Sequence, residues 1–209
     1  MNRRILLLTA AGLLAVTGCQ TRDKAVVPNT VGTVLDYHTG APAAEAVVSA
    51  IEVPVSTRTG PEGAFSLEAL TRSETDVVLP ASGVYIARAP LKATTGTSRA
   101  YGYASFLSMS DTADQPVAFF LLPADAPYPQ DALPEDCIPT DEERYALQAL
   151  EAGPSATVST WLEADMEHPY YFENLLDDAI GGLGNRCRLT TASRLEWNER
   201  IEAFIGEDG

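Results

Sequence analysis

Histidine is nearly absent from this 209-residue chain: His38 and His168 are the only two, and cysteine stops at three. That scarcity leaves little for metal or nucleophilic chemistry. A structural zinc site takes four nitrogen or sulfur ligands, and Cys137 and Cys187 have no neighbouring histidine to complete one. Nor does the chain contain a G-x-S-x-G elbow, an H-E-x-x-H helix, a phosphate loop or a dinucleotide fingerprint. His38 falls in the turn "DYHTG" and His168 precedes Pro169 at a helix end, where a protonated imidazole suits the negative dipole; both read as surface residues. Cations are short as well, 14 Lys and Arg against 29 Asp and Glu, for a formal net charge of −15. Such a chain repels phosphate backbones and anionic head groups, which excludes nucleic acid as a partner and any electrostatic attachment to a membrane. Long apolar runs are lacking too. The most apolar one, residues 5–16, stops short of the roughly 18 to 20 residues that span a bilayer.

What that run does have is the layout of a secretory leader. Arg3 and Arg4 precede it, and small residues follow. It ends at Val16-Thr17-Gly18-Cys19, which resembles the lipobox of bacterial lipoproteins. The resemblance implies removal of residues 1–18 as a lipoprotein signal peptide and diacylation of the Cys19 thiol, usually with acylation of the new amine. Cys19 is then the lipidation site, and the membrane is reached through a covalent lipid whose methylenes each contribute about 0.8 kcal/mol when buried. By the family's sorting convention, Gln20 in place of Asp directs the protein to the outer membrane, on its periplasmic face. Residues 19–29, with the polar stretch "QTRDKAVVP", read as a lipidated tether of about 30 Å when extended.

From residue 30 to 123 the chain is rich in Val, Thr, Tyr and Phe. Turn signals such as "HTGAP", "GPEG", "LPASG", "TTGT" and "SDTADQP" recur along it, the pattern of about seven short antiparallel strands in a β-sandwich. Val31, Thr33 and Leu35 share one face, and Ala46 and Val48 begin the next strand. "STRTGPEGAFSLEAL" reads as a hairpin with Gly60, Pro61 and Gly63 in the turn and Phe65 and Leu67 on one face. The order Gly32-x-Val34-x-Asp36, Thr39-Gly40-x-Pro42, Ala46-x-Val48, Thr59 and Gly63-x-Phe65-x-Leu67 resembles the carboxypeptidase regulatory-like domain of the transthyretin-like group. It departs from that pattern at Gly60, where the family has Asp, and at Glu45, where it often has Gly. The resemblance implies a non-catalytic module in which Gly40, Pro42, Gly63 and Phe65 serve turns and core.

A Pro-rich linker over residues 124–139 leads to helical periodicity over residues 140–209. Thr140-x-x-Glu143 forms a capping box. Ser155 caps a helix with Val158, Trp161, Leu162 and Met166 on one side, which Pro169 ends. Phe172, Leu175, Leu176, Ala179 and Ile180 line a third helix, closed at Gly181 or Gly182 in "GGLGN", and Ser193-x-x-Glu196 caps a fourth carrying Trp197, Ile201, Phe204 and Ile205. The expected fold is therefore α+β in two parts, the sandwich first and then a small all-α domain of about four helices. In an oxidising compartment Cys137 and Cys187, flanking the first three helices, are expected to form a disulfide.

The sharpest chemical cluster is Glu163, Asp165, Glu167 and His168 with Asp177 and Asp178. A carboxylate site there would serve a hydrolase or transferase, but a solvated helix face accounts for the same residues. Asp111 and Asp114 lack the spacing of a calcium loop. Tyr85, Tyr101, Tyr103 and Trp161 are the aromatics available to a carbohydrate-binding surface. The leading expectation is a non-enzymatic envelope lipoprotein without a cofactor, engaging a protein or glycan partner.

Overall fold

The computed structural model describes residues 19–77, 86–107, 115–164 and 169–205. Nine strands come first: β1 (Cys19–Val27), β2 (Thr30–Asp36), β3 (Val47–Ala50), β4 (Ser56–Arg58), β5 (Ala64–Leu67), β6 (Leu70–Val77), β7 (Ile86–Thr95), β8 (Ser98–Leu107) and β9 (Gln115–Pro123). A 3-10 turn at Gln130–Ala132 precedes the helices α1 (Asp141–Ala152), α2 (Ala156–Ala164), α3 (Pro169–Arg186) and α4 (Thr191–Ile205). The class is α+β with the helices in the C-terminal half, as the residue patterns indicate.

The β architecture differs from an antiparallel sandwich in two respects. Seven strands form one mixed sheet in the order β4-β3-β7-β8-β9-β2-β5, and β2 runs parallel to β9, Val34 opposite Phe119. A parallel pair needs a long crossover, and here the chain from β3 to β8 lies between the partners. The sheet's two edges, β4 and β5, are chain neighbours, so it curls into a nearly closed barrel. "STRTGPEGAFSLEAL" accordingly makes a turn, with Gly60 N–H donating to Ala64 O at 2.8 Å and Gly63 N–H to Gly60 O at 3.0 Å. Its flanks then diverge: β4 pairs with β3 and β5 with β2.

Strand β9 explains why barrel and helices meet. Residues 117–122, "VAFFLL", are all buried, a continuous run rather than an alternation, as expected of a strand covered on both faces. Phe119 points into the barrel against Phe65, ring centroids 5.8 Å apart, while Phe120 points outward against Trp161 of α2 at 5.6 Å. Tyr145 of α1 donates its hydroxyl to Phe120 O at 2.7 Å. Buried residues of sheet and helices form a single cluster. One motif position, Gly40, and the nearby Tyr37 add to the joint. Gly40, at φ +67°, lies so close to Thr157 that a Cβ would stand 2.6 Å from its Oγ1. Tyr37, fully buried, donates its hydroxyl to Gly153 O at 2.7 Å, and its carbonyl accepts from Ser155 Oγ.

Among the helices, the Thr140/Glu143 capping box forms as spaced, and the Ser155 hydroxyl accepts from Val158 N–H at 3.3 Å. Three details differ from the sequence reading. Pro169 opens α3; residues 165–168 lie outside the described part. Helix α3 also runs through Gly181, Gly182 and Gly184 to Arg186, and the left-handed stop falls on Arg188 at φ +53°, with Leu189 N–H reaching back to Gly184 O at 3.0 Å. Glycine inside a helix costs about 1 kcal/mol relative to alanine. At position 184 it leaves room for the Arg194 guanidinium, which donates to the Gly184 carbonyl at 2.7 Å. Finally, α4 is capped by Thr190, whose hydroxyl accepts from Ser193 N–H at 3.1 Å.

The stretch before α1 is closed by a covalent clasp. Cys137 and Cys187 are joined with Cα atoms 5.2 Å apart. Beside them Arg186 donates to Ile138 O at 2.7 Å and to the buried Glu143 carboxylate, which also accepts from Thr140 N–H at 2.6 Å. Cap, ion pair and disulfide therefore fix the same few residues.

Two substitutions test the backbone geometry with opposite signs. A Cβ on Gly32 would sit 1.8 Å from Val117 O, so Gly32→Ala should lower unfolding stability by about 2–3 kcal/mol, as for an overpacked core. Glu45 occupies the left-handed region at φ +56°, which costs roughly 1–2 kcal/mol for a residue with a Cβ. Glu45→Gly should therefore raise stability by about 0.5–1 kcal/mol after glycine's unfolded-state entropy is subtracted. Urea unfolding curves check both; changes of the opposite sign would overturn this account. Reducing the disulfide, with its separation of 50 residues, should cost about 4 kcal/mol on the loop-entropy account, read as a lowered urea midpoint in dithiothreitol.

Candidate functional site

The residues singled out by sequence scatter. Cys19 is the first residue of β1, which among the described residues pairs only with β6 as a separate two-stranded ribbon, Cys19 opposite Val77. Residues 19–27 are therefore a paired strand rather than a loose tether. Both strands read polar, and the pairing is supported by a Lys24–Glu74 ion pair at 3.0 Å, a Thr21–Thr75 hydroxyl contact at 3.1 Å, and Ser73 donating to Asp23. At its base, where Val27 is buried and Ala25 and Leu70 pack beside it, the ribbon joins the core. The lipobox residues before Cys19 lie outside the described part.

The carboxylate cluster is not assembled among the described residues. Asp165, Glu167 and His168 fall outside them, and Glu163 is known only as part of α2. Asp178 accepts from Arg88 of β7 at 2.5 Å, and the same guanidinium donates to Asn174 at 2.9 Å. Asp177 is held above its ordinary pKa by burial and by the neighbouring Asp178 charge. Asp111 and Asp114 also lie outside the described part. His38 is exposed, edge-on to the Tyr37 ring, and its backbone N–H donates to the Asp36 carboxylate at 3.2 Å.

Three of the four aromatics can be placed, and they form no shared platform. Tyr101 is buried against Tyr145, centroids 5.8 Å apart. Tyr103, on the same face of β8, is half-buried and donates to Glu142 at 2.5 Å; burial and that carboxylate push its phenol well above the usual range. Trp161 packs on Phe120, and Tyr85 lies outside the described residues. The "YGY" face is thus core beneath α1.

The structure instead marks a place that sequence reading passed over. Among the described residues, three buried side-chain atoms lack a hydrogen-bond partner: Arg99 Nε, Arg144 Nε and Gln148 Oε1. All three surround the chain between β9 and α1. Arg99 donates to Ala124 O at 3.4 Å and to Asp141 at 3.1 Å, while Gln148 Nε2 donates to Ala124 O at 3.2 Å and Ala126 O at 2.6 Å. Leaving a buried polar atom unpaired costs about 1–3 kcal/mol, and native folds hold few of them. Arg144 lines two adjoining hollows of about 520 Å³ each, which also share Tyr128 and Gln130, and Gln148, one turn on along α1, lines one of them.

Residues 124–139 are thus the wall of a groove packed on α1, with Tyr128, Leu133 and Cys137 against the core. Its prolines read as a linker because an irregular wall has no periodicity to detect. The available signal was Gln148, a polar residue inside the otherwise apolar run "YALQAL".

No family model matches the chain, and no curated protein matches it. A solved structure, a C-terminal interface mutant of a type II cohesin–X-dockerin complex from Acetivibrio cellulolyticus, is similar at 14% identity and a TM-score of 0.27, over 47% of this chain and 59% of that one. At that level the similarity contributes nothing to the reading of the groove.

Proposed function

We propose that this protein is a non-catalytic lipoprotein of the bacterial envelope, held at the outer membrane through Cys19 and acting as an interaction module for a protein or glycan partner. The observation that carries the reading is the position of Cys19. It opens a polar two-stranded ribbon whose other end enters the core at Val27, so a lipid on its sulfur would sit at the far end of an ordered spacer of about 25–30 Å. The carboxypeptidase regulatory-like resemblance of the strand region agrees with a module without chemistry of its own.

Two or three acyl chains hold a protein to a bilayer almost permanently. Anchoring converts the search for a partner on the same membrane into a local one, so each contact works at modest intrinsic affinity. The acidic body is kept from adhering to anionic head groups by like charge.

Intact mass of the protein purified from a membrane fraction tests the anchor. The expected result is a mature N terminus at Cys19 carrying acyl mass, absent from Cys19→Ser, which should move to the soluble fraction. An unmodified protein retained equally with and without Cys19 would overturn the reading.

A further inference from the structure

The groove between the β9–α1 connection and α1 combines features that together specify a ligand. At its floor, Arg144 has a buried Nε–H without an acceptor and enters no ion pair among the described residues, so its fork of donors is available. One turn on, Gln148 is 1% exposed; its amide nitrogen is committed to two backbone carbonyls while its oxygen has no donor. The rim carries the opposite charge, with Asp125, Asp131 and Glu135 all exposed. At one mouth stands Ile138, 74% exposed, beside Leu133.

A simple inorganic anion answers only Arg144 and meets three rim carboxylates on a chain of net charge −15. A plain cation answers the rim and leaves the guanidinium unpaired. The arrangement calls for a carboxylate, an N–H donor next to it, an apolar side chain and a positive charge a few bonds away. One molecule supplies all four in that order. We infer that the groove binds the C-terminal end of a short basic peptide. Its terminal carboxylate is gripped by Arg144 and its last amide N–H is accepted by Gln148 Oε1. The final apolar side chain lies against Leu133 and Ile138, and the preceding basic residue faces Asp125, Asp131 and Glu135. Planar carboxylate recognition by a guanidinium fork is the strong, directional contact here. This names the partner chemistry of the proposed interaction module and rests on that binding role, but not on the lipid at Cys19.

The test is calorimetry on the full chain with three probes: the tripeptide alanyl-lysyl-leucine, its C-terminal amide, and inorganic phosphate. The free acid should bind with saturable heat, the amide at least roughly tenfold more weakly, since charge-assisted contacts are about twice as strong as neutral ones, and phosphate more weakly still, since it meets the rim carboxylates and fills none of the other contacts. Arg144→Gln should reduce the acid to the level of the amide at an unchanged thermal midpoint, and Arg144→Lys should recover part of the loss. Equal binding of acid and amide, phosphate binding as tight as the peptide, or no heat from the folded chain at millimolar peptide would each overturn the inference. If Arg144→Gln fails to fold, the acid-to-amide ratio on the unaltered protein decides the matter. Loss of peptide binding with Cys19 still acylated would remove the groove and leave the anchor; an unacylated Cys19 with intact peptide binding would do the reverse.

Discussion

The whole molecule depends on one strand being wet on neither side. Residues 117–122 of β9 offer apolar side chains to both faces, and a barrel alone can cover only the inner one. Phe119 is satisfied by Phe65 within the sheet, whereas Phe120 is satisfied by Trp161 of α2, with the Tyr145 hydroxyl of α1 closing the backbone carbonyl between them. Burying a large side chain is worth roughly 1.5–3 kcal/mol, so exposing the outer row of β9 would forfeit a large part of a typical domain's margin. Strand and helix regions accordingly share one core, and the helices serve as the second layer that the barrel requires.

That dependence also shows which parts of the fold could be read from residues. Local signals were informative wherever the chemistry is local. The Thr140/Glu143 capping box, the Ser155 cap and the turn at Gly60–Gly63, with Gly63 at positive φ, all appear where their patterns stand. Readings that required knowledge of a distant partner did not carry through. The parallel pairing of β2 with β9 joins residues on opposite sides of six intervening strands, and no short-range motif encodes it. Glycines 181 and 182 looked like a helix stop, yet α3 continues because Leu183 is fully buried there and Glu143 and Arg194 lie close by. Strand β1 looked like a tether because a polar strand lacks the alternation by which strands are recognised.

The same argument applies to the groove. Its donors and acceptors come from a helix, a strand and an irregular stretch, and what sets them apart is an unmet hydrogen bond, which exists only in three dimensions. Gln148 spends its amide on holding the 124–126 backbone in place, so the group that shapes the wall is also the one that leaves an acceptor open. Arg99 braces the same carbonyl from the sheet side. Rigid framing of this kind lowers the ordering cost of any ligand that enters.

The short edges of the seven-stranded sheet have a consequence for life in a crowd. Strand β4 is three residues long and β5 four, and the two are joined by a single turn. An open row of backbone donors and acceptors is a template on which another chain can add a strand, and these two edges are too short to offer much of one. The β1–β6 ribbon has longer rows on its outer sides, where charged side chains line the pair. Copies brought together would therefore find little purchase for strand addition at these two edges, and along the ribbon they would meet charged side chains first.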